Sequence, residues 1–207
     1  MEPNMLDTPS KSETTAARII ASARSLFVAR SYADVTTEMI ATAAEVTKGG
    51  LYHHFPSKED LYMSMMFADF IDKRQLFEEA VASPGTCRER LTQITRNYLE
   101  LNREDREMIH LVRRDINTFS GDERERLIAG YQHALPDLIE AVIADGIRDG
   151  EVNGGNARVL AWSFVALVEV VIGQYAEETL GGTDTQLDHV LSLFFNGISV
   201  KGTGTTT

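Results

Sequence analysis

The sequence predicts an all-α protein, and three observations carry that expectation. Apolar residues recur at three- and four-residue spacings along almost the whole chain of 207 residues, as they do in helices with one buried face. No stretch alternates apolar and polar residues in the way of a half-buried strand. Only five prolines interrupt the pattern. The chain is long enough for one large or two small domains with a sizeable core.

The elements follow in order. Ser10 and Glu13 can form a capping box. Ile19, Ile20, Ala23, Leu26 and Phe27 then repeat at helical spacing, so a first helix of about twenty residues is expected to end near Ser31. Thr36 is a suitable N-cap for a short second helix through Ala44, with Met39, Ile40, Ala43 and Ala44 inward. Thr47 caps a third helix to about Phe55. Ser57 caps a fourth, reaching about Val81, and Glu59 and Asp60 suit its positive N-terminus.

Two more helices are expected over Thr86–Asn102 and Glu104–Phe119. Another starts at "SGDERERL" and turns Leu127, Ile128, Tyr131, Leu135, Leu138, Ile139, Val142 and Ile143 inward. Pro136 lies inside it and should kink or break it. Gly150 to Gly155 reads as a turn. Asn156 to Thr179 is apolar almost all round, which implies burial on more than one side. The last helix carries Leu187, Val190, Leu191, Phe194, Phe195 and Ile198. The total is about nine helices, with residues 1–9 a disordered arm and 201–207 a frayed tail.

Composition narrows the function classes. No apolar run approaches a membrane span, and the polar, acidic N-terminus is unlike a signal peptide. The single cysteine, Cys87, excludes an internal disulfide framework and fits a reducing, cytoplasmic setting. The net charge of −11 argues against a nucleic-acid partner until its distribution is considered. From Lys11 to Lys58 six basic residues face four acidic ones, so the acidity lies downstream of a mildly basic head.

The stretch "VTKGGLYHHFPSKEDL", Val46 to Leu61, carries the chemistry. The second helix, a tight turn at Ala44-Glu45-Val46 and the third helix make a helix-turn-helix candidate. In that arrangement Thr47 and Lys48 supply donors for phosphates or base edges. Gly49 and Gly50 each weaken a helix by roughly 1 kcal/mol, a cost that fits close backbone approach to DNA. Tyr52 and His53 lie about one turn further along, while Leu51 and Phe55 anchor the helix inward. Lys58 begins the next helix beside the duplex, and Thr36 caps helix two where free N–H groups can hold a phosphate.

Together, "TTAARIIASARSLFVARSYADVTTEMIATAAEVTKGGLYHHFPSKEDLYMSMM" resembles the N-terminal domain of TetR-family (tetracycline-repressor-like) transcriptional regulators. Ser31 and Glu45 sit where that family usually has glycine, the latter in the turn. Thr37 stands where an apolar residue is usual and offers another phosphate contact. Gly50 replaces the usual small hydroxyl or alanine.

The resemblance implies a helix-turn-helix DNA-binding domain at 10–56 and a ligand-binding and dimerisation domain at 57–200. It implies a ligand-responsive repressor that binds a palindromic double-stranded operator as a homodimer and is released by a small, largely apolar effector. The expected DNA-binding residues are Thr36, Thr37, Thr47, Lys48, Gly49, Gly50, Tyr52, His53 and Lys58. The expected dimer interface is Phe164, Leu167, Val168, Val171, Leu187, Val190, Leu191, Phe194 and Phe195. Candidate pocket residues are Phe67, Phe70, Tyr98, Met108, Val112, Phe119, Tyr131, Trp162 and Glu169. Glu169, inside "FVALVEVVIG", needs a partner if buried, either a cationic ligand or an arginine such as Arg113 or Arg114. No nucleophile–base pair, metal-ligand set or cofactor motif appears, so neither enzyme nor cofactor is expected. The alternative is a helical regulator that acts through a protein partner with weak or no DNA binding.

Overall fold

In the computed structural model of the chain, residues 11–197 are described. Ser10, the arm at 1–9, Ile198 and the tail at 201–207 lie outside the described residues. The described residues form eleven α-helices and no strand. These are α1 (Lys11–Ala29), α2 (Thr37–Ala43), α3 (Lys48–His54), α4 (Lys58–Ala82), α5 (Cys87–Leu99) and α6 (Arg103–Asp115), then α7 (Gly121–Ala134), α8 (Pro136–Arg148), α9 (Ala157–Val171), α10 (Gln174–Leu180) and α11 (Thr183–Asn196). Single 3-10 turns lie at Tyr32–Asp34 and Ile116–Thr118.

Two breaks raise the count above the nine expected. Pro136 opens α8 directly after Leu135, whose φ of −139° and ψ of −52° leave the helical path. Proline lacks the N–H that would continue α7, and that donor is dispensable in a first helical turn. The second break is at Gly173, where α9 gives way to α10 with a bend of 73°. An apolar run hid this one. A glycine weakens helix by about 1 kcal/mol, and the chain bends there.

The chain divides into two compact units. Of the described residues, the first comprises those from 11 to 69 together with Glu107–Gly130. Its core takes Ile19, Ala23 and Phe27 from α1, Ile40 and Ala44 around α2, Leu51 from α3, and Leu61, Tyr62 and Met66 from α4. Four aromatic rings meet inside it. Tyr62 stands edge-on to Phe27 at 5.0 Å and to Tyr32 at 5.2 Å, with Phe119 at 5.1 Å.

A buried carboxylate ties these rings together. Asp115, 2% exposed, accepts from Arg114 Nε at 3.0 Å and Nη2 at 2.8 Å, and from the Tyr62 hydroxyl at 3.2 Å. The Tyr32 backbone N–H also donates to it, at 3.4 Å. Arg114 Nη2 reaches on to the Phe27 carbonyl at 2.6 Å, at the end of α1. Burial and then the neighbouring Asp115 charge raise the Tyr62 pKa, so the phenol stays protonated and remains a donor.

The second unit comprises Phe70–Arg106 and the residues from Tyr131 onward. α5 opens with a capping box: the Thr86 side chain accepts from Glu89 N, and the Glu89 carboxylate accepts from Thr86 N. α8 passes close to α5 at Gly146, where a Cβ would fall 2.6 Å from the Cys87 Cβ. Arg90 and Asp145 join the same two helices at 2.8 Å. α9 and α11 pack through Phe164 and Phe194, ring centroids 4.9 Å apart. Among the described residues no single helix is long and apolar enough to cross a membrane.

Candidate nucleic-acid interface

The pair α2–α3 is set by its caps and one tight turn. The Thr36 side chain accepts from Met39 N at 3.2 Å and starts α2. The Thr47 side chain accepts from Gly50 N at 3.0 Å and starts α3. Between them α2 ends in a Schellman motif: Val46 N donates to Ala41 O at 3.0 Å, and Glu45 N donates to Thr42 O at 3.2 Å. That motif needs a left-handed residue, and Glu45 takes it with φ +53°. A left-handed conformation costs a non-glycine residue roughly 1–2 kcal/mol. Ser31, where glycine was also expected, has φ −64° and no such strain; its hydroxyl donates to Asp34 at 2.6 Å.

The anchor residues of α3 face inward, with Leu51 fully buried and Phe55 nearly so. Thr47, Lys48, Gly49, Tyr52 and His53 are exposed, as is Thr36, while Thr37 and Gly50 are half-buried. A Cβ on Gly49 would meet nothing closer than Thr47 Oγ1 at 4.0 Å. Nothing inside the protein therefore requires glycine at that position.

Two polar contacts cross between α2 and α3. Thr37 Oγ1 and the Tyr52 hydroxyl lie 3.2 Å apart. Lys48 Nζ donates to Glu38 Oε1 at 2.8 Å. That hydrogen bond raises the Lys48 pKa and lowers that of Glu38. Sequence reasoning missed Glu38; its signal was its place directly after Thr36-Thr37.

Lys58 is engaged within the protein. Its Nζ donates to the carbonyls of Tyr32 at 2.9 Å and Val35 at 3.0 Å, and lies 4.1 Å from the Tyr32 ring centroid. Burial lowers its pKa. The ammonium is spent holding the start of α4 against the turn that leads into α2.

The expected pocket residues fall in both units. Phe67, Met108, Val112 and Phe119 belong to the first, and Phe119 packs on Tyr32 and Tyr62. A groove of about 540 Å³ in that unit is lined by Ser57, Glu59, Asp60, Met63, Ser64, Phe67, Glu123 and Arg126. Of the expected set it contains Phe67 alone. Phe70, Tyr98, Tyr131, Trp162 and Glu169 belong to the second unit. There the Tyr131 hydroxyl donates to Glu169 Oε1 at 3.1 Å, and the Tyr131 ring lies near Phe70 at 6.3 Å and Trp162 at 5.9 Å. Tyr98 donates to the Arg106 carbonyl at 2.9 Å. Arg114, one of the partners considered for Glu169, donates to Asp115 and to the Phe27 carbonyl.

The residues expected at a dimer interface differ in exposure. Phe164, Val168, Val171, Leu187, Val190 and Leu191 are all buried within the single chain, so they fill its own core. Leu167, Phe194 and Phe195 keep partial exposure. The large exposed apolar residues of α9 are Val159 and Val170, with Tyr175 beyond them on α10.

Comparison with known proteins matches both parts of this architecture. The model of bacterial regulatory proteins of the tetR family matches residues 19–65, and that of the tetracyclin repressor-like C-terminal domain matches residues 84–177. The chain belongs to the tetR family. It is a transcriptional regulator of that family. The HTH-type transcriptional repressor KstR2 of Rhodococcus jostii is 24% identical over 178 residues, covering 86% of this chain and 87% of that one. The structure of FadR from Bacillus subtilis in complex with stearoyl-CoA aligns with a TM-score of 0.72 at 20% identity, over 88% of this chain and 99% of that one. AibR, solved in complex with isovaleryl coenzyme A and operator DNA, aligns with a TM-score of 0.70 at 24% identity, over 87% of this chain and 98% of that one. Among the described residues no group of three or more His, Cys, Asp or Glu side chains is placed to hold a metal ion.

Proposed function

We propose that this regulator is a repressor that binds a palindromic operator as a homodimer through the N-terminal half of α3, and that an acyl-coenzyme A thioester releases it. The observation that carries the DNA reading is the row of exposed donors at Thr36, Thr47, Lys48 and Tyr52, with the half-buried Thr37 among them, beside a glycine no internal contact requires. Lys48 and the threonines fit phosphates, and Tyr52 and His53 reach base edges. The partner copy is met through the exposed stripe of Val159 and Val170 on α9.

Support for the effector class comes from FadR and AibR, two relatives of the same fold that hold acyl-coenzyme A molecules. The second unit offers Phe70, Tyr131 and Trp162 for an acyl chain, and the Tyr131–Glu169 pair for a carbonyl or amide. The route to DNA is α4, one unbroken helix from Lys58 to Ala82. Lys58 grips the turn before α2, so a tilt of α4 moves the recognition pair directly. The ligand acts by preferring the non-binding state, a coupling of about 1–3 kcal/mol.

Fluorescence anisotropy of labelled DNA from the region upstream of the protein's own gene tests this. Tight, salt-sensitive and sequence-selective binding is expected, reversed by acyl-coenzyme A with a dependence on chain length and untouched by coenzyme A alone. Binding that ignores sequence would overturn the DNA reading. Release by no acyl chain length would overturn the effector class.

A further inference from the structure

A carboxylate stands among the donors that the DNA reading requires. Glu38 is 70% exposed and Lys48 54% exposed, and their contact joins residues ten apart in sequence on two different helices. Exposed ion pairs add little to stability, and a carboxylate beside phosphates is repulsive, so the fold gains little from this pairing. Glu38 lies in the first turn of α2, where an acid favours the helix N-terminus. Its oxygen nevertheless reaches across to Lys48, while the Thr36 side chain serves the N-terminus.

We propose that Glu38 is a specificity-determining residue of the interface, holding Lys48 as an internal stand-in for a DNA phosphate and giving it up only where a base edge donates to the freed carboxylate. The inference rests on the placement of DNA against α2 and α3 proposed above. On arbitrary DNA, releasing Lys48 to a phosphate would leave Glu38 unpaired before the backbone, so the pair stays closed and that phosphate contact is not made. On the cognate half-site the amino group of a cytosine, N4–H in the major groove, donates to Glu38, a pairing that geometry favours for acidic side chains. Glu38 thus weakens binding everywhere except where that cytosine is present.

The test uses the full chain, parent and Glu38→Gln, with two labelled duplexes. One is enriched from a random-sequence pool by repeated binding to the parent; the other is its scramble of identical composition. Both are titrated by anisotropy at several salt concentrations. The variant is expected to bind the scramble roughly threefold to tenfold tighter. Its plot of log affinity against log salt should be steeper by about 1, because one more phosphate contact goes uncompensated within the protein. Affinity for the enriched duplex should change less, and a pool enriched by the variant should lose one cytosine per half-site. Equal binding of parent and variant to both duplexes with equal slopes would overturn the inference and leave DNA binding intact. Equal tightening on both duplexes would also overturn it, reducing Glu38 to a general repulsive charge. A parent that enriches no duplex would overturn the DNA reading and this inference together. A thermal melt of the variant within a few degrees of the parent's excludes misfolding as the cause.

Discussion

Two acid–base pairs of the first unit close at the same distance and serve opposite uses. Lys48–Glu38 and Arg114–Asp115 both close at 2.8 Å. The Lys48–Glu38 pair lies in water. Asp115 is 2% exposed and also accepts from Tyr62 and from the Tyr32 backbone. An exposed pair can be exchanged for another partner at little loss, whereas a buried carboxylate stripped of its partners is left with its full desolvation penalty. Contact distance does not distinguish a structural tie from a poised one. Solvent does.

The largest expected effect comes from breaking the buried pair. Asp115→Ala leaves the Arg114 guanidinium, the Tyr62 hydroxyl and the Tyr32 N–H without their acceptor, and should destabilise the protein by about 3–5 kcal/mol in urea melts. A loss under about 1 kcal/mol would show that water replaces the carboxylate. Breaking the exposed pair should do the reverse. Lys48→Ala and Tyr52→Ala should each weaken operator binding at least tenfold, with thermal stability and dimerisation near the parent's. Parental DNA affinity in both variants would remove α3 from the interface.

A smaller effect sharpens the contrast at the turn between the two helices. Glu45→Gly relieves a positive φ and should stabilise by roughly 1 kcal/mol, read as a higher urea midpoint, while also tightening binding to arbitrary DNA slightly. No gain in midpoint would mean that strain at Glu45 is already relaxed in solution. The smallest effect is in pH. Burial, helped by the Glu59 charge, raises the Tyr32 pKa to about 12. The folded state therefore favours the neutral phenol, and this stability is intact below about pH 10 and lost as pH rises toward 12. Tyr32→Phe should flatten that alkaline decline, measured by urea melts across this range.

Local signals made the recognition pair legible. Thr36, Thr47 and Ser57 act on N–H groups three residues ahead, and Leu51 with Phe55 follows a single helical repeat. The contacts of Lys58 leave no signal in the sequence because its acceptors are backbone carbonyls 26 and 23 residues upstream, and a carbonyl has no sequence identity. Asp115 left no trace for the same reason: its partners Tyr32 and Tyr62 lie 83 and 53 residues away. The bend at Gly173 was masked because apolar periodicity continues across it. The inward and outward positions of α9 are not separable in the sequence, because α9 is apolar on most of its faces, and hydrophobicity alone does not separate a core from a surface met by a second chain.

Gly49 has a further consequence. It is exposed on α3, and a Cβ there would meet nothing closer than Thr47 Oγ1 at 4.0 Å. The recognition helix thus keeps an unwritten letter: Leu51 and Phe55 spell the fold, and position 49 is free of that grammar. A library confined to Gly49 and its exposed neighbours could re-address the repressor to new promoters, leaving the folding of the chain unaltered.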